Sequence, residues 1–187
     1  MTGPTGDETT YAYDDRGALD KVVSPRGNVP GANPADFTTT YTYDYNENLV
    51  RSSHPYPGGG FTTDNTRFDE LNRATASIDP LGRSSTTSYD NNSDVISSTD
   101  PLGQSTAISY DVNGRPSAVT APGGGQVGTE YDPAGNPVRR TSPTGGVTTW
   151  SYDDDGRVSG TVDPRGNAPA APRPATPRPT PTTRWAT

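Results

Sequence analysis

The sequence repeats an aromatic-Asp pair at a regular spacing. An aromatic residue is followed by Asp seven times in phase, and the last four intervals between these pairs are all 21 residues. A proline lies twelve residues after each of these aromatics. A fixed period with constant internal offsets is typical of repeat architectures, in which each unit packs only against its neighbours. The seven pairs begin at Tyr13, Tyr43, Phe68, Tyr89, Tyr110, Tyr131 and Tyr152.

Each period contains two turn sequences. The first is Asp-x-x-Gly, as in Asp111 to Gly114, which favours a type I turn because Asp suits its first place and Gly its fourth. The second has Pro at its second place and Gly at its fourth, as in Asp79 to Gly82. Three repeats lack the Gly of the Asp-x-x-Gly turn, and one proline turn lacks the usual Asp or Ser at its first place. The sequence therefore predicts these four turns less firmly than the others. They have Glu47, Asn72 and Ser93 in place of Gly, and Ala121 at the start of a proline turn.

The segments between the turns are six and seven residues long, which are typical strand lengths. They are rich in Thr, Val and Tyr, residues that favour strands, as in residues 94–99 and 146–152. Trp150 and Tyr152 are two apart and should share one face of a strand. No segment shows helical spacing with caps. We therefore predict an all-β array of stacked antiparallel hairpins, an open arc with essentially no helix.

Two periods are longer, at 30 residues from Tyr13 to Tyr43 and 25 from Tyr43 to Phe68. The offset from aromatic to proline stays at twelve in both, so the nine and four extra residues should follow the proline turn. They correspond to residues 28–36 and the region of residues 57–60, which are rich in turn formers. We expect both insertions to extend loops at one edge of the array and to leave the strands in register.

Composition fits a repeat array better than a globule. Only 27% of the residues are hydrophobic, which by itself would indicate disorder, but the net charge of −7 is modest. A repeat protein buries thin seams between units and tolerates such a composition. Without cysteine the chain has neither disulfides nor thiolate metal sites. It shows no membrane-spanning run and no signal peptide, and its acidic pI of 4.6 disfavours nucleic-acid binding.

The two ends differ from the rest. The chain starts in mid-repeat, and residues 1–167 are assigned to about seven repeats. Residues 168–187 are rich in Pro, Ala, Thr and Arg and are expected to form a disordered, extended tail. Residues 163–169 resemble residues 24–30, which lie in the first long period. This similarity predicts a Tyr-Asp pair near residue 182, but Thr182 and Thr183 occupy these positions. We therefore expect a truncation or frame shift near residue 170.

The motifs Tyr-Asp-x-x-Gly-Arg at 110–115 and 152–157, and Asp-Pro-x-Gly at 79, 100 and 163, resemble the RHS or YD repeat. The resemblance covers about residues 4–167. It implies a part of a hollow β-hairpin shell, which in bacteria typically encloses a C-terminal toxin; similar repeats occur in wall-associated proteins and in teneurin adhesion proteins. It also implies a secreted or cell-surface location, with further repeats of the same parent chain and a toxin cargo as partners.

The resemblance assigns architectural roles to the repeated positions, and none to catalysis, cofactors or metals. Asp-Pro-x-Gly also resembles the family's self-cleavage motif, but its recurrence in phase favours a turn at each copy. The repeat positions are Tyr13, Asp14, Tyr43, Asp44, Phe68, Asp69, Tyr89, Asp90, Tyr110, Asp111, Tyr131, Asp132, Tyr152, Asp153, Pro80, Gly82, Pro101, Gly103, Pro164 and Gly166.

Candidate chemical sites are weak. His54 is the only histidine and has no evident partners, so a loop position is expected. Asp153 to Gly156 suggests a calcium loop, but Ser151 and the absence of a Glu at the twelfth place favour a turn. The glycine triplets at 58–60 and 123–125 are not followed by the Lys-Ser/Thr of a phosphate loop. We therefore expect a chain that is not an enzyme.

Two alternatives to a shell segment stay open. Rows of Tyr on a sheet face can stack on sugar rings, which would suit a carbohydrate-binding or adhesive surface module, although aromatic packing between hairpins is the commoner use. The chain could also be a truncated gene remnant with no function alone.

Overall fold

The structure, a computed structural model, describes residues 8–56 and 59–165. The tail at 168–187 and the Tyr-Asp pair expected near residue 182 lie outside these residues. The fold is all-β, as the sequence indicates, and the described helices are two short 3-10 segments at Pro25–Asn28 and Pro34–Phe37. The strands are β1 (Thr10–Tyr13), β2 (Leu19–Val23), β3 (Thr38–Tyr43), β4 (Leu49–Pro55), β5 (Phe61–Phe68), β6 (Ala74–Ile78), β7 (Ser84–Tyr89), β8 (Val95–Thr99), β9 (Ser105–Tyr110), β10 (Pro116–Thr120), β11 (Gln126–Tyr131), β12 (Pro137–Thr141), β13 (Val147–Tyr152) and β14 (Val158–Val162).

The chain divides into two units, Met1–Ile108 and Ser109–Thr187. In the first unit, β1 to β9 pair antiparallel, each strand with the next in sequence. In the second, β10 to β14 pair in the same way. Except for the long loop between β2 and β3, the strands paired here are joined by one tight turn each, which is the hairpin arrangement predicted from the two turns in each period.

The Tyr-Asp hairpins of six repeats contain a β-bulge beside the turn. Ser88 pairs with Ser97, whereas the next residue, Tyr89, pairs with Val95, so the pairing shifts by one residue. The same shift accompanies Tyr13, Tyr43, Phe68, Tyr131 and Tyr152. A bulge increases the local twist and redirects side chains. It places the aromatic residue at the same point of every one of these hairpins.

The Tyr-Asp turns keep one geometry even where Gly is replaced. The N–H of Gly114 donates to the carbonyl of Asp111 at 3.0 Å, and Gly114 has φ +75°. Glu47, Asn72 and Ser93 occupy the equivalent place with φ values of +66°, +61° and +71°. These three turns, which the sequence left in question, are therefore intact. At Glu47 and Ser93 the backbone is held in the left-handed region by residue types that disfavour it.

The proline turns also survive their weakest sequence. Gly124, with φ +80°, donates its N–H to the carbonyl of Ala121 at 2.8 Å, as Gly82 does to Asp79 at 2.9 Å. A carboxylate at the first place is therefore not required for this turn to close.

The two insertions have different outcomes. The nine-residue insertion extends a loop as expected, since Ser24 still closes the hairpin by donating to the Phe37 carbonyl at 3.0 Å. The four-residue insertion does not extend a loop, which corrects the expectation. It lengthens β4 and β5 to seven and eight residues, and the turn moves to Tyr56, whose carbonyl accepts from Gly59 at 3.1 Å. The added residues of β4 and β5 pair with each other, so their backbone N–H and C=O groups are hydrogen-bonded within the sheet. In a longer loop these groups would bind water.

Within residues 8–56 and 59–165 no apolar side chain is fully buried, and Gly27 is the one buried residue. Most aromatic and aliphatic side chains lie half-buried against neighbouring strands. Stability must therefore come from the strand ladders, the turns and the seams between hairpins. None of the helices described is long and apolar enough to cross a membrane.

Candidate functional site

The Asp of each Tyr-Asp pair caps its own turn. In Asp111, Oδ1 accepts from the backbone N–H of Asn113 at 2.9 Å and of Arg115 at 3.0 Å. The Asp111 N–H donates to the Arg115 carbonyl at 2.8 Å, which closes the hairpin. A short carboxylate is well suited to this, since it satisfies turn N–H groups that would otherwise face water. Oδ1 also caps the turns at Asp14, Asp44, Asp69, Asp90, Asp132 and Asp153.

These hydrogen bonds stabilise the charged carboxylates. Donation from the backbone N–H of Arg73 holds the pKa of Asp69 below its ordinary value, and Arg115 does the same for the pKa of Asp111. The pKa of Asp132 is lowered chiefly by the side-chain amide of Asn136. Further pKa values lowered by turn hydrogen bonds are those of Asp14, Asp44 and Asp153.

Asp79 shows the same capping in a proline turn. Its Oδ1 accepts from the N–H groups of Leu81 and Arg83, both at 2.9 Å. Partial burial alone would raise the pKa of Asp79, but the bonds from Arg83 and Leu81 outweigh it and the pKa is lowered. Gly82 and Gly103, each behind a proline, have φ +77° and +79°. The positions Pro80, Pro101 and Pro164 lie in turns, and Gly166 is outside the described residues.

An arginine beside the turn links one hairpin to the next. Arg115 donates through Nε to Oδ2 of Asp111 at 2.7 Å and through Nη1 to the Asp132 carbonyl of the following repeat at 3.0 Å. Its guanidinium carbon lies 4.6 Å from the centre of the Tyr131 ring. One side chain thus combines an ion pair, a hydrogen bond and a cation–π contact.

Arg73 makes the same set of contacts in the other unit. It pairs with Asp69, donates to the Asp90 carbonyl at 3.0 Å and stacks over Tyr89 at 4.6 Å. Both arginines lie five residues after the aromatic of their own repeat. In the first repeat Arg16, three residues after Tyr13, reaches the Asp44 carbonyl at 3.2 Å.

The tyrosine hydroxyl makes a second link between hairpins, in the opposite direction along the chain. Tyr131 donates to the Pro116 carbonyl at 3.0 Å, and Tyr152 donates to the Pro137 carbonyl at 2.8 Å. Each acceptor lies six residues after the aromatic of the preceding repeat. Tyr89 and Tyr43 donate in the same way to Ala74 and Leu19. The repeated Tyr is therefore a cross-hairpin hydrogen-bond donor as well as a packing residue.

The seam between the second and third repeats uses other side chains. Phe68 has no hydroxyl and cannot make the tyrosine bond. In its place Asn48 of the preceding repeat donates to Oδ1 of Asn72 at 2.8 Å while also holding Oδ2 of Asp44. The left-handed Asn72 therefore contributes a contact that Gly could not make.

The sequence singled out the Tyr and Asp positions but not the bridging arginines or the backbone carbonyls that the tyrosines meet. The arginines could have been found as the sixth residue of the motif Tyr-Asp-x-x-Gly-Arg, which occurs at Arg115 and Arg157. The carbonyl acceptors cannot be recognised from the sequence, because any residue type presents a backbone carbonyl. The four acceptors are Leu19, Ala74, Pro116 and Pro137.

His54 lies in strand β4, which corrects the expected loop position, because the lengthened hairpin carries the strand through Pro55. Its ring nitrogens lie 3.5 Å from Thr39 Oγ1 and 3.2 Å from Ser52 Oγ, and Asp64 is 4.0 Å away. This is a polar cross-strand cluster on an exposed sheet face. Ser52 and Asp64 both approach the same ring nitrogen, Nε2, so Asp64 does not orient the ring from the opposite nitrogen as the carboxylate of a catalytic triad does. The cluster also has no third ligand for a metal among the residues that the structure describes.

No group of three or more possible metal ligands occurs in the part of the chain that the structure describes. The Asp153 to Asp155 segment is a turn in which Arg157 pairs with both Asp153 and Asp155. The carboxylates that suggested calcium are therefore engaged with a cation of the protein itself.

Each of the two units has an open groove of a size that suits a ligand. In the first unit, the nine-residue loop and the lengthened hairpin border a groove of about 480 Å³ with Arg26, Asp36, Phe37, Tyr56 and Phe61 on its walls. In the second, a groove of about 540 Å³ runs along the aromatic face. It is lined by Val119, Val127, Tyr131, Pro137, Arg140 and Trp150 among others.

Comparisons with known proteins agree with this geometry. Residues 89–126 and 131–168 match the family described as RHS Repeat. A search of curated protein sequences found no match. The fold is similar to a solved TcdB2-TccC3 complex without its hypervariable C-terminal region, with 14% identity over 83% of this chain and a TM-score of 0.53. A TcdB2-TccC3 complex gives 14% identity over 83% of this chain and a TM-score of 0.52.

The chain spans 11% of the length of each of these two relatives. At this identity the likeness shows a shared fold and no shared activity. The two RHS Repeat matches and the Tyr-Asp hairpins that carry them show that this chain contains RHS repeats at residues 89–126 and 131–168.

Proposed function

We propose that this chain is a non-catalytic wall segment of an RHS-type shell that encloses a C-terminal toxin and is secreted or displayed at a cell surface. The observation that carries the proposal is the absence of a fully buried apolar side chain within residues 8–56 and 59–165, together with continuous hairpin pairing in each unit. A single sheet layer separates two spaces and does not enclose a core of its own. Containment is the task that such a layer suits best.

The links between hairpins support the same function. A wall must resist opening between strands, where each seam is otherwise held only by backbone hydrogen bonds. Arg115 and Tyr131 tie neighbouring hairpins in both chain directions, and Arg73 with Tyr89 repeats the arrangement. Because these links repeat, the sheet can be extended by adding units without a new type of contact.

The proposal of an enclosed cargo rests on analogy with similar solved structures. One of the similar solved structures is a TcdB2-TccC3 complex without its hypervariable C-terminal region. We infer a comparable arrangement for the longer protein of which these repeats would be a part, with further repeats and an enclosed C-terminal segment as partners. Secretion follows from the same analogy.

The carboxylates argue for a structural role. In Asp69, Asp111 and Asp153 both oxygens already accept hydrogen bonds from the turn or from an arginine. Their pKa values are lowered, whereas a general acid at neutral pH needs a raised one. We therefore propose that the repeated aspartates hold turns and do not perform catalysis.

The test uses the full-length gene product that carries these repeats. Limited proteolysis under native conditions should leave a segment outside residues 8–165 resistant, and the same segment should be digested once urea has unfolded the repeats. Protease rates on a shielded segment report the opening of what covers it. Equal digestion of every outside segment before and after urea would overturn containment.

A carbohydrate-binding surface is a second candidate, and the groove beside Trp150 favours it. Trp150 and Tyr131 offer ring faces and Arg140 offers hydrogen-bond donors within one open groove. The chain has two tryptophans, so Trp150 fluorescence can be followed in a Trp185→Phe background while soluble glycans are added. Saturable quenching that Arg140→Ala weakens would support this function. Unchanged fluorescence across a broad glycan panel would exclude it at this groove.

A further inference from the structure

The two insertions of the chain meet at the groove in the first unit. Its volume is about 480 Å³, which suits a small ligand. The loop between β2 and β3 and the lengthened β4–β5 hairpin supply its walls. Proline turns of later repeats close in four residues without an insertion, as the bond from the Gly82 N–H to the Asp79 carbonyl shows. The hairpin array therefore does not require this groove, which is a product of the two longer connections.

The loop side of the groove is closely packed. Gly27 is buried, and a Cβ on it would lie 2.7 Å from Cγ1 of Val23 and 2.8 Å from Cβ of Phe37. The first 3-10 segment therefore packs tightly against Phe37, which is one of the groove walls. Across the second 3-10 segment, the Thr38 hydroxyl donates to the Pro34 carbonyl at 2.7 Å. The groove is thus formed before a ligand arrives, which reduces the entropy that binding costs.

Two opposite charges on the groove walls have no partner among residues 8–56 and 59–165. Arg26 comes from the first 3-10 segment and Asp36 from the second, and both residues are exposed. Neither side chain makes an ion pair or a hydrogen bond with a described residue. Arg165 occupies the same place of another proline turn and does pair, with Asp163 at 3.6 Å. Arg26 and Asp36 are therefore available to bind opposite charges of a ligand.

Aromatic rings supply further walls of the groove. Tyr56 and Phe61 are 58% and 56% exposed, and Phe37 is half-buried. Gly59 and Gly60 also line the groove, and a Cβ on either would meet no other atom within 4 Å. The space beside these glycines is therefore open. Exposed rings gathered in one open groove favour a ligand with an apolar group.

We propose that this groove binds a short zwitterionic peptide. Arg26 holds the peptide carboxylate, Asp36 holds its ammonium group, and Tyr56 and Phe61 pack on an apolar side chain. The two charges decide the ligand class, because a purely anionic molecule would leave Asp36 unmatched and a purely cationic one would leave Arg26 unmatched. The site does not depend on the wall function, since β4 stays paired with β3 and β5 around it.

The dipeptide Phe-Leu in four forms tests which charges are recognised. The forms have both ends free, an acetylated amine, an amidated carboxylate, or both ends blocked. Each is titrated into the complete chain, and the NMR amide resonances of Gly59 and Gly60 report binding at the groove. The free dipeptide should bind most tightly. Blocking either end should weaken binding about threefold to fivefold, the size expected of an ion pair open to water.

Substitution of the two charged residues assigns each end of the peptide. Arg26→Ala should weaken binding of the free dipeptide as much as amidation does, and should not weaken the amidated form further. Asp36→Ala should stand in the same relation to acetylation. Both variants should keep the urea midpoint of the unaltered chain, because neither side chain has a partner in the part of the chain that the structure describes. Arg165→Ala, at the same turn position, is the control and should leave every affinity unchanged.

Three results would overturn the proposal. They are the absence of saturable resonance shifts with the free dipeptide, equal affinities for all four forms, and equal losses from Arg26→Ala and Arg165→Ala. The comparison of the four forms uses the unaltered chain, so it is decisive whatever the substitutions do to folding.

Discussion

Arg115 lies over the ring of Tyr131 with 4.6 Å between the guanidinium carbon and the ring centre, although the two residues belong to different hairpins. The same arginine holds the Asp111 carboxylate of its own turn. At the two seams that Arg73 and Arg115 span, the chain thereby uses charge, aromatic area and backbone carbonyls together. The repeated Tyr and Asp are two parts of one linkage, of which Arg is the third.

Arg115→Ala should destabilise the protein by about 1 to 3 kcal/mol, since it removes a cation–π contact and a hydrogen bond from a charged donor. Urea unfolding followed by circular dichroism measures the change. Arg83→Ala is the matched control, because Arg83 pairs with Asp79 in the same way but is 61% exposed. Its loss should cost less than about 1 kcal/mol, as is usual for an exposed pair. Equal costs would show that the contact with Tyr131 contributes nothing.

The tyrosine hydroxyls should contribute separately. Tyr131→Phe removes the bond to the Pro116 carbonyl and should cost about 0.5 to 1.5 kcal/mol. Phe68→Tyr should gain a similar amount, because a hydroxyl there would face the Leu49 carbonyl, the equivalent of Pro116. Tyr45→Phe changes a side chain that is 98% exposed and should be neutral. Opposite signs for the changes at 131 and 68 are the decisive outcome, and a loss at both would refute the seam geometry.

Relief of backbone strain should stabilise one turn more clearly than the others. Glu47→Gly should add about 1 kcal/mol, because Glu47 has φ +66° and Gly adopts that conformation without penalty. Asn72→Gly should gain less, since Asn tolerates the conformation and Asn72 also accepts from Asn48. Thermal unfolding of both variants provides the comparison.

The reverse change completes this test. Gly114→Ala should cost about 1 to 2 kcal/mol because its φ is +75°. Gly123→Ala, at a glycine without positive φ and with open space around its Cβ position, should have little effect. Equal effects at 114 and 123 would argue against strain as the cause.

Acid should weaken the turns together. The pKa values of seven turn aspartates, Asp79 among them, are lowered in the folded protein. The unfolded chain therefore binds protons first, and the stability from these groups is complete above the ordinary Asp pKa of about 3.9. It should be lost as the pH falls through the lowered values. Urea midpoints measured from neutral pH down to about pH 2.5 should stay level and then drop below about pH 4; a flat profile would contradict the capping role.

Much of the fold follows from the sequence, because turn chemistry is local. Asp, Pro and Gly at fixed offsets specify where the chain reverses, and the intervening β-formers specify strands. The insertion at residues 57–60 was misplaced because a lengthened hairpin and a lengthened loop have the same residue count. The Glu47 and Ser93 turns could not be judged from propensity, since neighbouring pairing overrides the preference of one residue.

The links between hairpins lie beyond local reasoning. Tyr131 meets Pro116 through its backbone carbonyl, which any residue would present, so the sequence does not reveal this partner. Arg115 is visible in the motif, but its reach to Asp132 depends on how the hairpins align. The sequence favoured aromatic packing between hairpins for the repeated tyrosines, but it did not predict the hydroxyl bonds that Tyr89 and Tyr131 make to the neighbouring hairpin.

Amide hydrogen exchange, resolved by residue, tests most directly whether the described strands, which enclose no fully buried apolar side chain, are held as a wall by their seams. We predict slow exchange in the paired strands, as at Ser97 and Arg139, with faster exchange in the turns. Tyr89→Phe should speed exchange in β6 and β7, on the two sides of its seam, and leave β13 unchanged. Exchange that is fast throughout residues 8–165, or that responds equally in all strands, would contradict the account.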